Sequence, residues 1–164
     1  MGLISFIKDA GAKIFGGKTT AEKAADAAKA AAEAELKREE AAAKVLEQTI
    51  ADLGLKVTGL RIVIDDDKAT VTGAAYDQAT KEKIVLVAGN SQGIATVDDQ
   101  MTVENPEPEA TYHTVVSGDT LSKIAKTVYG DAMKYPVIFE ANKPMLKSPD
   151  LIYPGQVLRI PPLG

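Results

Sequence analysis

The sequence predicts an α+β protein of two small domains, with an Ala-rich helix near its amino end. Three observations carry this reading. Near Leu60 the apolar residues change from helical spacing to two-residue alternation, and after Asp77 they change back. Residues 104–110, ENPEPEA, are charged, Pro-containing and aperiodic, as a linker is. Beyond them, residues 112–164 hold a further complete set of segments, in the order strand, helix, helix, strand.

A chain of 164 residues has room for one domain or two small ones. Its 19 basic and 23 acidic residues leave a net charge of −4 with no long basic run, which gives nucleic-acid binding little electrostatic support. Cys is absent, so a disulfide framework and a thiolate metal site are excluded.

The first segment, MGLISFIKDAG, places Leu3, Ile4, Phe6 and Ile7 at a terminus, where chains fray unless tied down. Ser5 and Lys8 break the apolar run that a secretory signal needs. Phe6 stands where a myristoylation signal needs Ser or Thr. No stretch approaches the roughly 20 apolar residues of a membrane span. Two readings remain: a short helix lying on a membrane surface, or a segment (1–17) that docks on the protein's own body. We take the second, and with no export signal we expect a cytoplasmic protein with no membrane or nucleic-acid partner.

Residues 18–52 read as one helix or two. Ala is the best helix former, Glu33–Lys37 and Glu40–Lys44 are favourable i,i+4 pairs, Thr20 suits the start and Gly54 the stop. Residues 18–44 are taken as a helical spacer. Leu36, Ala43, Val45, Leu46, Ile50 and Leu53 form a partial helical stripe expected to pack. The first domain is placed at 45–104. In it, LRIVIDDDKATVTGAA reads as a hairpin around an acidic turn. DQATKEKIVLVAG reads as a helix with Ala79, Ile84, Val87 and Ala88 inward, GNSQG as a loop, and IATVDDQMTV as a third strand. The order is α-β-β-α-β.

After a linker at 105–111, the second domain (112–164) begins with strand YHTVV. A helix follows, capped by Asp119 or Ser117, with Leu121, Ile124, Ala125 and Val128 inward. A second helix spans about 134–142, Pro154-Gly155 turns the chain, and VLRIP closes the unit as β-α-α-β.

No catalytic constellation emerges. The single His, His113, reads as a strand residue at a surface or domain edge. Asp65-Asp66-Asp67 reads as a solvated turn, where Asp is favoured for backbone reasons, and it lacks the glycine and distant Glu of an EF-hand loop. The chain is therefore expected to be no enzyme.

YHTVVSGDTLSKIAKTVYGD, IFEAN and IYPGQVLRIP closely resemble a LysM domain. VTG, a helix and then GIATVDDQMTV resemble a BON domain. With MGLISFIKDAG in front, nearly the whole chain is similar to the cytoplasmic potassium-binding protein family of bacteria. The main departure is the Ala-rich stretch from Ala24 to Ala43, which looks like an insertion. This resemblance implies K+ as ligand, in a monomer that acts as a sensor or buffer and compacts on binding. Potassium can be held by neutral backbone carbonyls that replace its water, and helix ends and Gly-containing loops offer such carbonyls. Mapped from the family, the donors are the carbonyls of Ile7, Lys8 and Ala10 in the first segment and of Gly89, Ser91 and Ile94 in the loop. On this view the apolar start anchors the terminus so that its backbone completes an ion cage. The LysM resemblance implies a second possibility, a glycan groove at Gly118, Asp119, Thr120, Ile152 and Tyr153, used to attach the protein to peptidoglycan in the cell envelope.

Overall fold

The computed structural model describes residues 2–5 and 21–164. Phe6 and Ile7 of the docking segment, and Thr20 at the expected start of the first helix, lie outside the described residues.

The Ala-rich stretch forms one helix, α1 (Ala21–Asp52), of 32 residues. From residue 26 to residue 42 its side chains are exposed, Glu39 apart, and only the last turns pack. There Ala43, Leu46 and Ile50 are buried, at the 3–4-residue spacing of one helix face. Leu36 and Val45, expected in the same stripe, are exposed. Val45 sits about 100° from Leu46 around the helix and so points away from the core. Leu36 shares the buried face but lies nearly a turn beyond Glu39, whose carboxylate meets the hairpin tip at Asp66.

The hairpin is β2 (Val57–Asp65) and β3 (Lys68–Asp77), closed by Asp66 and Asp67, with Asp66 at φ 54. Ile62, Ile64, Ala69 and Val71 point into the core, while Val63 faces solvent. A bulge falls between Thr58 and Arg61. Gly73, at φ 140, opposes it: a Cβ there would stand 3.2 Å from Leu60 Cα, Thr58 O and Val57 Cγ2. The outer edge of β2 is covered by α1. Glu47 Oε1 accepts from Ile62 N and Glu39 Oε1 from Asp66 N, each at 2.7 Å. Eight helix residues rise about 12 Å and four strand residues about 13 Å, so the two carboxylates match alternate outward amides. An edge dressed in this way does not recruit another strand.

Helix α2 (Gln78–Gly89) starts at Asp77, whose side chain accepts from Thr80 N at 2.7 Å. It is the crossover that parallel strands require: the chain returns as β4 (Thr96–Asp99) and β5 (Thr102–Asn105), both parallel to β3. The expected third strand is thus two short ones, interrupted at Gln100 and Met101, where Met101 N donates to Asp99 Oδ1. The chain start adds a strand that the sequence reading lacked. β1 (Gly2–Ser5) pairs antiparallel with β4, giving the order β1-β4-β3-β2. Ile4 packs on the core; Leu3, expected to anchor with it, is exposed because neighbours in a strand face opposite ways.

The second domain pairs β6 (Thr111–Thr114) antiparallel with β7 (Val157–Ile160). Between them lie α3 (Leu121–Tyr129), a single 3-10 turn (Ala132–Lys134) and α4 (Tyr135–Ala141). The cap of α3 is Thr120, accepting from Lys123 N, rather than Asp119 or Ser117. Leu121, Ile124 and Ala125 are buried; Val128, expected with them, is largely exposed.

Replacing Ile50 by Ala should cost about 2–5 kcal/mol, as buried Ile-to-Ala truncations do. Val45→Ala should stay within about 0.5 kcal/mol. Urea unfolding of both variants measures the difference.

Candidate functional site

The candidate site lies where α2 ends. The helix finishes at Gly89, and Asn90 N, Ser91 Oγ and Ser91 N donate to the carbonyls of Leu86, Val87 and Ala88 at 2.9, 2.6 and 3.2 Å. The chain then turns through Gly93 at φ 86, and the buried Ile94 leads it back into the sheet. Ser91 O receives one long bond, 3.3 Å from Ile94 N. The carbonyls of Gly89 and Ile94 accept no hydrogen bond from another described residue. A carbonyl has two lone pairs, so Gly89, Ser91 and Ile94 all retain capacity for a cation. Ile7, Lys8 and Ala10 lie outside the described residues. The strand that leads to them, β1, ends with Ser5 opposite Thr96, two residues from Ile94.

The loop does not stand free. Asn90 Nδ2 donates to Val157 O at 2.9 Å, and Val157 N donates to Asn90 Oδ1 at 2.8 Å. One side chain thereby pairs with β7 as a neighbouring strand would. Two residues further along, Asn142 does the same for Arg159, donating to its carbonyl and accepting from its N–H, each at 2.8 Å.

A buried ion pair adjoins this seam. Glu82 of α2 is 3% exposed and Arg159 of β7 is 7% exposed, and Arg159 Nε donates to Glu82 Oε2. The other carboxylate oxygen accepts from Gln78 Nε2 and from Ala110 N of the linker, both at 2.9 Å. Burial, with the positive charge of Arg159 next, holds the Lys83 amine below its ordinary range. Helix α2 therefore buries two sides, one against its own sheet and one against the second domain. That is why Gln78, Glu82, Ile84, Val85 and Leu86 are all buried and no single stripe describes it. Glu82 and Arg159 were passed over in the sequence reading. Arg159 had a signal, as the one charge in the apolar segment VLRI, whereas Glu82, set between Lys81 and Lys83, had none.

In the second domain the loops after β6 and before β7 lie side by side, joined by Val115 N to Gln156 O and Gly155 N to Val115 O, each at 2.8 Å. They carry Gly118, Asp119 and Thr120 on one side and Ile152 and Tyr153 on the other. Tyr153 is half exposed and Ile152 packs against the core. Asp119 Oδ2 accepts from Val116 N at 3.0 Å and lies 2.9 Å from His113 Nε2. The bond from Val116, and then that from His113, holds this carboxyl below its ordinary value. At the end of β4, Asp98 pairs with Lys68 and Asp99 with Lys81, both at 3.3 Å. No described helix is long and apolar enough to cross a membrane.

Comparison with known proteins places this geometry. A model of the BON domain matches residues 37–105 and one of the LysM domain residues 113–161. The chain is 50% identical, over 98% of its length and 99% of the relative's, to the potassium binding protein Kbp of Escherichia coli O6:H1 strain CFT073. The chain belongs to that BON–LysM family. Shorter matches cover about a third of it. An uncharacterized protein of Deinococcus radiodurans is 55% identical over 31% of this chain and 19% of its own length. An esterase of Mycobacterium tuberculosis strain H37Rv is 49% identical over 32% of this chain and 11% of its own. The seam described above is therefore the junction of BON and LysM domains, and its residues come from both.

Because the Asp119 carboxyl is lowered on folding, its contribution is complete above the unfolded-state value near 4 and is lost as pH falls through the folded value. The stability advantage of the native chain over Asp119→Asn should accordingly shrink below about pH 4, as denaturant midpoints measured across pH would show.

Proposed function

We propose that this chain is a non-enzymatic, cytoplasmic, monomeric potassium-binding protein that senses or buffers the ion. The observation that carries the reading is its 50% identity, over 98% of its length, with a protein named for potassium binding. The loop after α2 supports it. Potassium is large, singly charged and weakly hydrated, so neutral carbonyls can replace its water. The negative end of a helix dipole adds to the attraction. The donors are the carbonyls of Ile7, Lys8, Ala10, Gly89, Ser91 and Ile94. Such a cage needs no carboxylate, and the buried carboxylate of the junction, Glu82, is committed to Arg159, Gln78 and Ala110. Binding favours the compact arrangement of the amino segment on the BON domain, by as much as the ion prefers that state over the open one.

A second reading rests on the LysM match and on the adjoining loops at Gly118–Thr120 and Ile152–Tyr153. It makes the chain an envelope protein that holds peptidoglycan. Retention on purified peptidoglycan and recovery in the envelope fraction would favour it.

At fixed ionic strength the unfolding temperature should be higher in potassium than in sodium, since a ligand stabilises the state it binds. Equal midpoints by calorimetry would refute the potassium reading. Deleting residues 1–11 should remove the potassium effect while leaving the LysM domain folded, as amide spectra would report.

A further inference from the structure

The loop that offers Gly89, Ser91 and Ile94 includes one residue whose side chain serves the other domain. Asn90 lies between two of the proposed donors, yet its amide is spent on Val157, with both its donor and its acceptor used. We infer that Asn90 is a positioning residue: through it, strand β7 of the LysM domain sets the orientation of the loop carbonyls on the BON domain. The inference rests on the potassium reading and deepens it.

The geometry favours a stiff connection. A side-chain amide that both gives and accepts on one strand residue fixes rotation as well as distance. The peptide planes on either side, carrying the Gly89 and Ser91 carbonyls, are bonded to the same Cα or one removed from it. The hold on the Asn90 side chain therefore fixes its Cα, from which the Gly89 plane hangs directly and the Ser91 plane one peptide further on. The strand on which Asn90 rests is itself fixed. Its inner edge pairs with β6, from Thr114 opposite Val157 to Thr111 opposite Ile160. On its outer edge Asn142 holds Arg159, and the Arg159 side chain is bonded to Glu82, seven residues before Gly89 on the same helix. Helix, loop and strand thus close a ring of hydrogen bonds: α2 to β7 through Glu82 and Arg159, and β7 back to the end of α2 through Val157 and Asn90. Ser91 strengthens the near side of the ring, its hydroxyl donating to Val87 O at 2.6 Å. A cage of neutral dipoles discriminates ions by the number and placement of its oxygens, so a ring that fixes those oxygens bears on affinity and selectivity alike.

The coupling is reciprocal: whatever β7 does for the ion, the ion does for β7. Two measurements on the full chain test this. The first is potassium and sodium affinity by titration calorimetry for the native protein, Asn90→Ala and Asn90→Gln. The Ala variant should bind potassium at least about fivefold more weakly, with a smaller preference over sodium, as couplings of this kind usually give. The Gln variant, which keeps the amide, should recover part of the loss. A side chain that merely holds two domains together would lower the unfolding temperature in potassium-free buffer and leave both affinities unchanged; that result overturns the inference. The second measurement needs no variant. Hydrogen exchange at the Val157 amide should slow severalfold when potassium is added to the native protein. Exchange that is the same with and without potassium, in a protein that calorimetry shows to bind the ion, also overturns it and leaves the potassium reading standing. A native chain that binds no potassium removes both.

Discussion

A carboxylate as deeply buried as Glu82 must be met by donors on every side, because a buried charge without partners costs several kcal/mol. Here the donors come from three parts of the chain: Gln78 on its own helix, Ala110 in the linker and Arg159 in the closing strand of the LysM domain. The requirement is met only if the linker folds against α2 and the second domain sits with β7 facing that helix. Such a pair fixes geometry more than it adds net stability, since apolar replacements of both partners are often neutral or better. The rest of the junction follows. With β7 placed, its outer edge falls beside the end of α2, and Asn90 is within reach of Val157.

The same economy governs the strand edges of both domains. Strand β2 would be an open edge, and α1 covers it with Glu39 and Glu47 at the helical interval that matches alternate strand amides. Strand β7 would be another, and two asparagines close it. In both cases the covering groups are side chains from a neighbouring helix or from the residue just past its end. Glu39 and Glu47 are thereby engaged in structure, and the end of α2 adds the uncharged carbonyls of Gly89, Ser91 and Ile94, in a loop that shares a pocket with Glu39 and Asp66. Neutral carbonyls suit a monovalent ion that sheds water easily, whereas divalent sites are built around carboxylates.

Much of this architecture was legible in the chain. Period changes located the hairpin and α2, and Leu121, Ile124 and Ala125 gave the face of α3. The failures have physical causes. Leu36 and Val45 look inward to a rule that counts apolar residues, but one lies nearly a turn beyond the contact at the hairpin tip and the other about 100° around α1 from Leu46. Strand β1 has four residues, too few for periodicity to declare, and it exists because β4 offers it an edge. Helix α2 defeats single-stripe reasoning because it is covered on two sides. Of the six proposed ion donors, three occupy one loop, and no side-chain pattern could have chosen them, since the role belongs to the backbone. Asn90 gave no signal at all, because asparagine in a glycine-flanked loop is ordinary turn chemistry.

The projecting part of α1 has a practical consequence for anyone following the unfolding of this protein. From residue 26 to residue 42 the helix has little to lean on, so its order is a local helix–coil equilibrium rather than a share of the cooperative core. It would lose ellipticity gradually on warming, before and through the main transition. The chain has five tyrosines and no tryptophan, and all five tyrosines lie in or beyond strand β3. Phenolic absorbance would therefore report the packed domains, and far-ultraviolet dichroism a mixture of those domains and an independent rod. Two spectroscopies that disagree on this protein would be describing different parts of it, and not an intermediate on its folding path.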